Sequence, residues 1–148
     1  MEKAIVFDMD GTIANLYEVK DWLPMLRAEN PTPYDIAKPM FDKDKLYNLL
    51  LKFKMQGGKI IVTTWGSKGA SNEYTKQVKK VKENWLKRHS FPYDEIHCVK
   101  YGTPKTRVSK GKANTQLLID DNDDVRKSWN LGKAVHPDEM LEAIKEFI

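Results

Sequence analysis

Short, mostly apolar runs that stop at polar residues, with helix-length segments between them, constrain this chain more than any other feature. Ala4-Ile5-Val6-Phe7 stops at Asp8, Ile60-Ile61-Val62 at Thr63, and Leu117-Leu118-Ile119 at Asp120. Ile96-His97-Cys98-Val99 and the shorter Ala134-Val135 read as two further strands. Runs with no polar alternation are those of strands covered on both faces. Between them, Asp42 to Gln56 carries Leu46, Leu49, Leu50 and Phe53 at helical spacing and ends at Gly57-Gly58. Asn72 to Arg88 places Tyr74, Val78, Val81 and Trp85 on one stripe, with lysines over the other faces, and Met140, Leu141, Ile144 and Phe147 mark a C-terminal helix. Strands separated by helices predict an α/β protein: a single doubly wound, Rossmann-like parallel sheet with helices on both faces, spanning residues 1–148. In such sheets ligands bind at the carboxyl ends of the strands. That rule brings Asp8, Thr63 and Asp120 to one crevice. The stretch Ala28 to Phe41, with Pro31, Pro33 and Pro39, is irregular and makes 13–42 a small lid.

Composition excludes several classes. Hydrophobic residues make up 41% and charged residues 31% of 148 residues, as expected of a globular chain large enough for a real core. No apolar run reaches the ~18 residues a membrane span needs. The N-terminal residues contain no secretory apolar region, and Cys98 is the only cysteine. An intrachain disulfide and a multi-cysteine zinc site are thereby ruled out, and the expected compartment is the reducing cytoplasm.

The chemistry concentrates at the strand ends. Asp8-Met9-Asp10-Gly11-Thr12 leaves a buried strand and turns at Gly11, so both carboxylates project into the crevice. One can attack as a nucleophile while the other moves protons. An ionised carboxylate there also offers hard oxygen ligands for Mg²⁺. Asp120 and Asp121 form a second acidic strand end, where adjacent charges repel unless a cation compensates them. Capping the helical segment Asp123 to Trp129 is their alternative role. His89, His97 and His136 lack metal-ligand spacing, and no GxxxxGK[ST] loop is present, which argues against a nucleotide-driven kinase.

In that order, DMDGT, IIVTT, a lysine and LLIDDN resemble the four motifs of the haloacid dehalogenase superfamily of phosphohydrolases, across roughly Lys3 to Val135. The resemblance implies Asp8 as the nucleophile that forms an aspartyl-phosphate and Asp10 as the general acid and base. It implies Mg²⁺ between the Asp8 carboxylate, the Asp10 main-chain carbonyl and Asp120, with Asp121 assisting. Thr63 would hydrogen-bond the phosphoryl group. The lysine could be Lys105, Lys110 or Lys112. Its spacing of ten residues to Asp120 selects Lys110, with Lys112 in reserve. Thr64, Trp65, Gly11 and Thr12 are the candidate substrate-side residues.

Within the superfamily the chain is similar to the 5′(3′)-deoxyribonucleotidases and to the phosphatase domain of phage-type polynucleotide kinases. The latter place an Arg just after the second-motif hydroxyl, where this chain has Thr64-Trp65. The former carry a sizeable cap, whereas the 55 residues from Asp8 to Thr63 leave room here only for a small lid. The expected partner is a phosphorylated small molecule, a nucleotide monophosphate in the favoured reading and a 3′-phosphorylated nucleic-acid end in the alternative. Leu16, Tyr17, Trp22, Tyr34 and Phe41 could stack a base or close a small core, and Trp65 is the expected stacking residue. Lys68 to Lys112 holds twelve basic and four acidic residues, against a net charge of +4 for the whole chain. Such a segment suits an anionic partner such as nucleic acid, or a merely solvated helix face. A binding module that keeps the fold without catalysis is the rival class, and it has no use for repelling carboxylates in one crevice.

Overall fold

In the computed structural model, which describes residues 2–148, the apolar runs lie side by side in one five-stranded sheet. β1 (Lys3–Phe7) is central, with β2 (Lys59–Trp65) on one side and β4 (Thr115–Ile119) on the other. β3 (Glu95–Val99) pairs outside β2, and β5 (Ala134–Val135) outside β4. Every pair is parallel and the order is β3-β2-β1-β4-β5. The chain winds outward from β1 to β3, then returns to the other side of β1 for β4. That reversal opens a crevice at the carboxyl ends of β1 and β4.

Strand periodicity explains why the runs are apolar throughout. Ile5, Phe7, Ile60, Val62, Leu117 and Ile119 face one side of the sheet. They pack there on α3 (Lys43–Met55), on α7 (Met140–Phe147), and on Trp85 and Leu86 of α4 (Asn72–Arg88). Ala4, Val6, Ile61 and Leu118 face the other side, against Val125 of α6 (Asp123–Ser128) and Trp129. Both faces are thus covered, and a polar residue on either would be desolvated. Asp42 caps α3 by accepting from the Lys45 amide at 3.1 Å, and Gly57, with φ +89°, follows its end. β2 runs on through Thr63, Thr64 and Trp65 because their backbones pair with His97, Cys98 and Val99, which needs no apolar side chain.

The 13–42 stretch is more ordered than its prolines suggest. It contains α1 (Trp22–Arg27) and α2 (Thr32–Ile36), with Pro33 in the first turn of α2, where a missing N–H is tolerated. Its second half is fastened to α4. Trp85 Nε1 donates to the Ala37 carbonyl (2.7 Å), Tyr74 Oη to the Asn30 carbonyl (3.0 Å), and Ser71 N and Oγ both donate to the Glu29 carboxylate. Leu16 and Tyr34 complete a separate small core with Tyr74 and Val78. By contrast α1 contributes no buried residue. No helix among the described residues is long and apolar enough to cross a membrane.

Candidate active site

Asp8 continues β1 by one residue: its amide donates to the Ile119 carbonyl at 2.9 Å, which sets it beside Asp120. The chain then closes a tight turn in which the amides of Thr12, Ile13 and Ala14 all donate to the Met9 carbonyl. Thr12 Oγ1 donates to Asp8 Oδ2 at 2.9 Å and accepts from the Asp121 amide at 3.2 Å, tying the two acidic strand ends together. Gly11 has φ +81°, a backbone region that costs an L-residue about 1–2 kcal/mol. A β-carbon there would also meet the Asp121 carboxylate and the Tyr17 ring. Gly11→Ala is accordingly expected to lower stability by at least about 1–2 kcal/mol in urea unfolding. An unchanged unfolding midpoint would show that this turn relaxes freely.

One cation sits among the carboxylates. Lys105, the first residue of α5 (Lys105–Ser109), donates to Asp8 Oδ1 and Asp120 Oδ2, both at 2.8 Å, with only 3% of its surface exposed. Asp120 is held further by the Asn122 amide on Oδ1, and Arg126 donates to its carbonyl. Lys110 is exposed at the end of α5, and Lys112 is turned to Glu95 at 2.8 Å. The lysine in the crevice is therefore Lys105 and neither Lys110 nor Lys112. Lys105 opens α5 and Lys110 follows its last residue, and only the start of α5 reaches the strand ends.

A second lysine enters from the far side. Lys82 of α4 is wholly buried and donates to Asp10 Oδ2 at 2.8 Å. Lys82 looked like part of a basic surface in the sequence, yet it lies at the edge of the apolar stripe, four residues past Val78 and three before Trp85. That placement was the available signal. The basic segment is accordingly divided. Lys82 and Lys105 are interior, Arg88 and Lys112 pair with Asp35 and Glu95, and Lys76, Lys79, Lys80 and Lys87 lie exposed along α4.

The electrostatics follow from crowding. Burial, opposed by Lys82, holds the Asp10 carboxyl above the usual range. Burial and the neighbouring Asp8 raise Asp120, and burial with contact to Asp8 pushes Asp121 up to about 7. Lys105 is raised as well, which here favours the charged form: burial disfavours its charge, but Asp8 and Asp120 outweigh that.

These groups floor a pocket of about 530 Å³. Asp8, Asp10, Asp120, Asp121, Thr64 and Trp65 all line it. Thr63 does not: it is fully buried and its hydroxyl has no partner, while Thr64, one residue on, reaches the pocket. Successive β2 side chains point to opposite faces, so only one of the two threonines can turn toward the crevice. Gly11 and Thr12 also lie outside the lining and serve the turn and the Asp8–Asp121 link. The outer wall is aromatic, with Tyr17, Trp22, Tyr34 and Tyr101 beside Trp65, whereas Phe41 packs into the main core. Trp65 is fixed by donating Nε1 to the Thr103 carbonyl at 2.8 Å.

No protein-family model and no curated protein matches the sequence. Among solved structures the chain is similar to one chain of the Pnkp1/Rnl/Hen1 RNA repair complex, at 19% identity and TM-score 0.61, over 90% of this chain and 42% of that one. It is also similar to the D,D-heptose 1,7-bisphosphate phosphatase from Burkholderia thailandensis, at 11% identity and TM-score 0.54, over 98% and 97% of the two chains. The chain has the haloacid dehalogenase fold. At these identities the likeness is one of fold. Phe7 and Ile119 are opposite each other in β1 and β4, so Asp8 and Asp120 follow the paired ends of these strands, and the present chain spans less than half the length of the first neighbour.

Proposed function

We propose that the protein is a Mg²⁺-dependent phosphomonoester hydrolase that works through an aspartyl-phosphate on Asp8. The observation that carries this reading is the pairing of Asp8, bracketed by Thr12 and Lys105, with Asp10 two residues on in the same pocket. An Asp8 carboxylate oxygen attacks phosphorus, and the bond to the leaving oxygen breaks with its electron pair staying on that oxygen. Asp10 supplies the proton that oxygen needs. Asp10 then takes a proton from water, whose oxygen attacks phosphorus and frees Asp8 with release of inorganic phosphate. Lys105 faces the charge that builds on the phosphoryl oxygens, and Thr64 offers a hydroxyl to them.

The residues present fit the metal. Carboxylate oxygens of Asp8, Asp120 and Asp121 lie within 4.8 Å of one another, a hard-oxygen set of the kind Mg²⁺ takes. With Asp10 they make four carboxyl groups around the two buried ammonium groups of Lys82 and Lys105, an excess of acid that a divalent cation would offset. Bound Mg²⁺ would neutralise phosphoryl oxygens.

A pocket of about 530 Å³ with aromatic walls suits a nucleotide monophosphate, its base stacked on Trp65 or Trp22. One observation favours a second reading. Arg27 and Lys68 line the same pocket and have no carboxylate partner among the described residues, so they could hold a further phosphate of a nucleic-acid strand. The RNA repair complex that contains the first structural neighbour is in keeping with that reading. Mg²⁺-dependent phosphate release should be measured over mononucleotides, sugar phosphates and 3′-phosphorylated oligonucleotides. The nucleotidase reading expects mononucleotides to be preferred. The reverse ranking assigns the pocket to strand ends, and no release from any member of the set would sink the hydrolase reading.

A further inference from the structure

Among the described residues, Lys82 is the one wholly buried charged side chain whose place the reaction above does not explain. An ammonium out of water is costly unless fully compensated, and an apolar residue here would extend the Val78–Trp85 stripe at no such cost. An ammonium has three N–H donors and no acceptor. All three are used, on Asp10 Oδ2 (2.8 Å), Thr64 Oγ1 (2.7 Å) and the Trp65 carbonyl (2.9 Å). The Tyr34 ring, from the part of the lid fastened to α4, covers it with its centroid 4.6 Å from Nζ. Lys82 therefore has no donor left for a substrate. Its effect has to pass through its partners.

The consequences for those partners are specific. Asp10 Oδ2 is occupied, and Oδ1 accepts no hydrogen bond among the described residues, so Oδ1 is the oxygen left to exchange a proton with a ligand. The Thr64 hydroxyl already accepts from Lys82, and no acceptor among the described residues takes its proton, so its O–H is left to donate to a ligand in the pocket that Thr64 lines. We propose that Lys82 is a positioning residue that aims Asp10 Oδ1 and the Thr64 hydroxyl at the reacting phosphoryl ester. The proposal rests on the hydrolase reading. It adds a residue from outside the strand-end motifs and assigns it the hydrogen-bond polarity of both groups.

The test compares leaving groups. The 4-nitrophenolate anion leaves unprotonated, whereas an alkoxide needs the proton that Asp10 supplies. In Lys82→Met, kcat/KM, which reports only the steps through phosphorylation of Asp8, is expected to fall about 10²-fold for an alkyl phosphate, the low end of what a general acid contributes, and much less for 4-nitrophenyl phosphate. Asp10→Asn should show the same pattern in kcat/KM, and adding Lys82→Met to it should cost the alkyl phosphate little more. Equal losses of kcat/KM on both substrates would reduce Lys82 to a packing role and overturn the proposal. Should the Met variant not fold, Lys82→Leu, which likewise offers no donor, serves in the same comparison. Crystal structures of wild type and the apolar variant give a readout independent of turnover. Asp10 is expected to swing away from β2, and an Asp10 carboxylate that stays in place would overturn the proposal. A wild-type protein that hydrolyses no phosphate ester would overturn the hydrolase reading, leaving that structural comparison still decisive for Lys82.

Discussion

Asp8→Asn is expected to lower Mg²⁺-dependent phosphate release by roughly 10⁴-fold or more, within the range for removal of a covalent nucleophile. The change is nearly isosteric. An Asn oxygen can still accept from Thr12 or from Lys105, so the turn from Met9 to Ala14 keeps its bonds while the attacking anion is lost. The fold should not suffer. Asp8 is one cause of the raised Asp10, Asp120 and Asp121 carboxyls, so its neutralisation relieves repulsion and returns Asp121 downward from about 7. A thermal midpoint equal to or above that of wild type, measured in a chelator, is the expected companion to lost activity. Acid-quenched wild-type protein should carry phosphate on Asp8 and the variant none. Turnover within tenfold of wild type would refute the covalent mechanism.

Lys105→Met carries the second large effect, on stability as well as rate. The Lys105 ammonium is the direct partner of both Asp8 and Asp120, and all three groups are buried. Removing the one cation of the set leaves two neighbouring buried carboxylates uncompensated, unlike the loss of Asp8, which leaves Lys105 paired with Asp120, and costs about 3–5 kcal/mol. Part of that loss should return when Mg²⁺ is added, because a bound cation takes over the compensation. Urea unfolding in chelator and in Mg²⁺ measures both quantities. The Mg²⁺-induced gain should be larger in the variant than in wild type. Lys110→Met is the control: an exposed residue outside the crevice, it should change stability by less than about 0.5 kcal/mol and leave turnover unaltered. Equal behaviour of the two variants would return the lysine assignment to the ten-residue spacing.

The sheet and the acidic strand ends were legible because each rests on a short-range rule. An unbroken apolar run followed by Asp can be recognised within six residues, and β1 and β4 are both of that form. α4 was legible to its bounds, since a 17-residue helix shows its stripe over several turns. The two lysines were not, for a geometric reason. Which residue of the loop after β3 reaches Asp120 depends on where α5 begins, and a five-residue helix leaves too weak a periodicity to fix that from sequence. Lys82 was hidden by its company. Lys79, Lys80 and Lys87 on the same helix are solvated, and a charge count does not separate the one that turns inward. Thr63 and Thr64 differ by one strand position, which reverses the face a side chain takes; the run Ile60 to Val62 shows that the strand is buried and nothing of which threonine opens to the crevice.

The uneven fastening of the lid bears on how such a protein could change its ligand. Residues 29–37 are tied to α4 through Ser71, Tyr74 and Trp85, whereas α1 stands between Asp21 and Glu29, both at positive φ, and reaches the small core only through the half-buried Trp22 and Leu26. Trp22, Leu23, Leu26 and Arg27 nonetheless form one wall of the pocket. Leu23 and Arg27 are exposed, so folding free energy depends little on their identity, while the shape and charge offered to a leaving group depend on it directly. Varying these two positions, with Trp22 and Leu26 kept on the small core, would change ligand selection with little change in the sheet, the carboxylates or their lysines, which makes them the natural place to graft new specificity onto an unchanged hydrolytic floor.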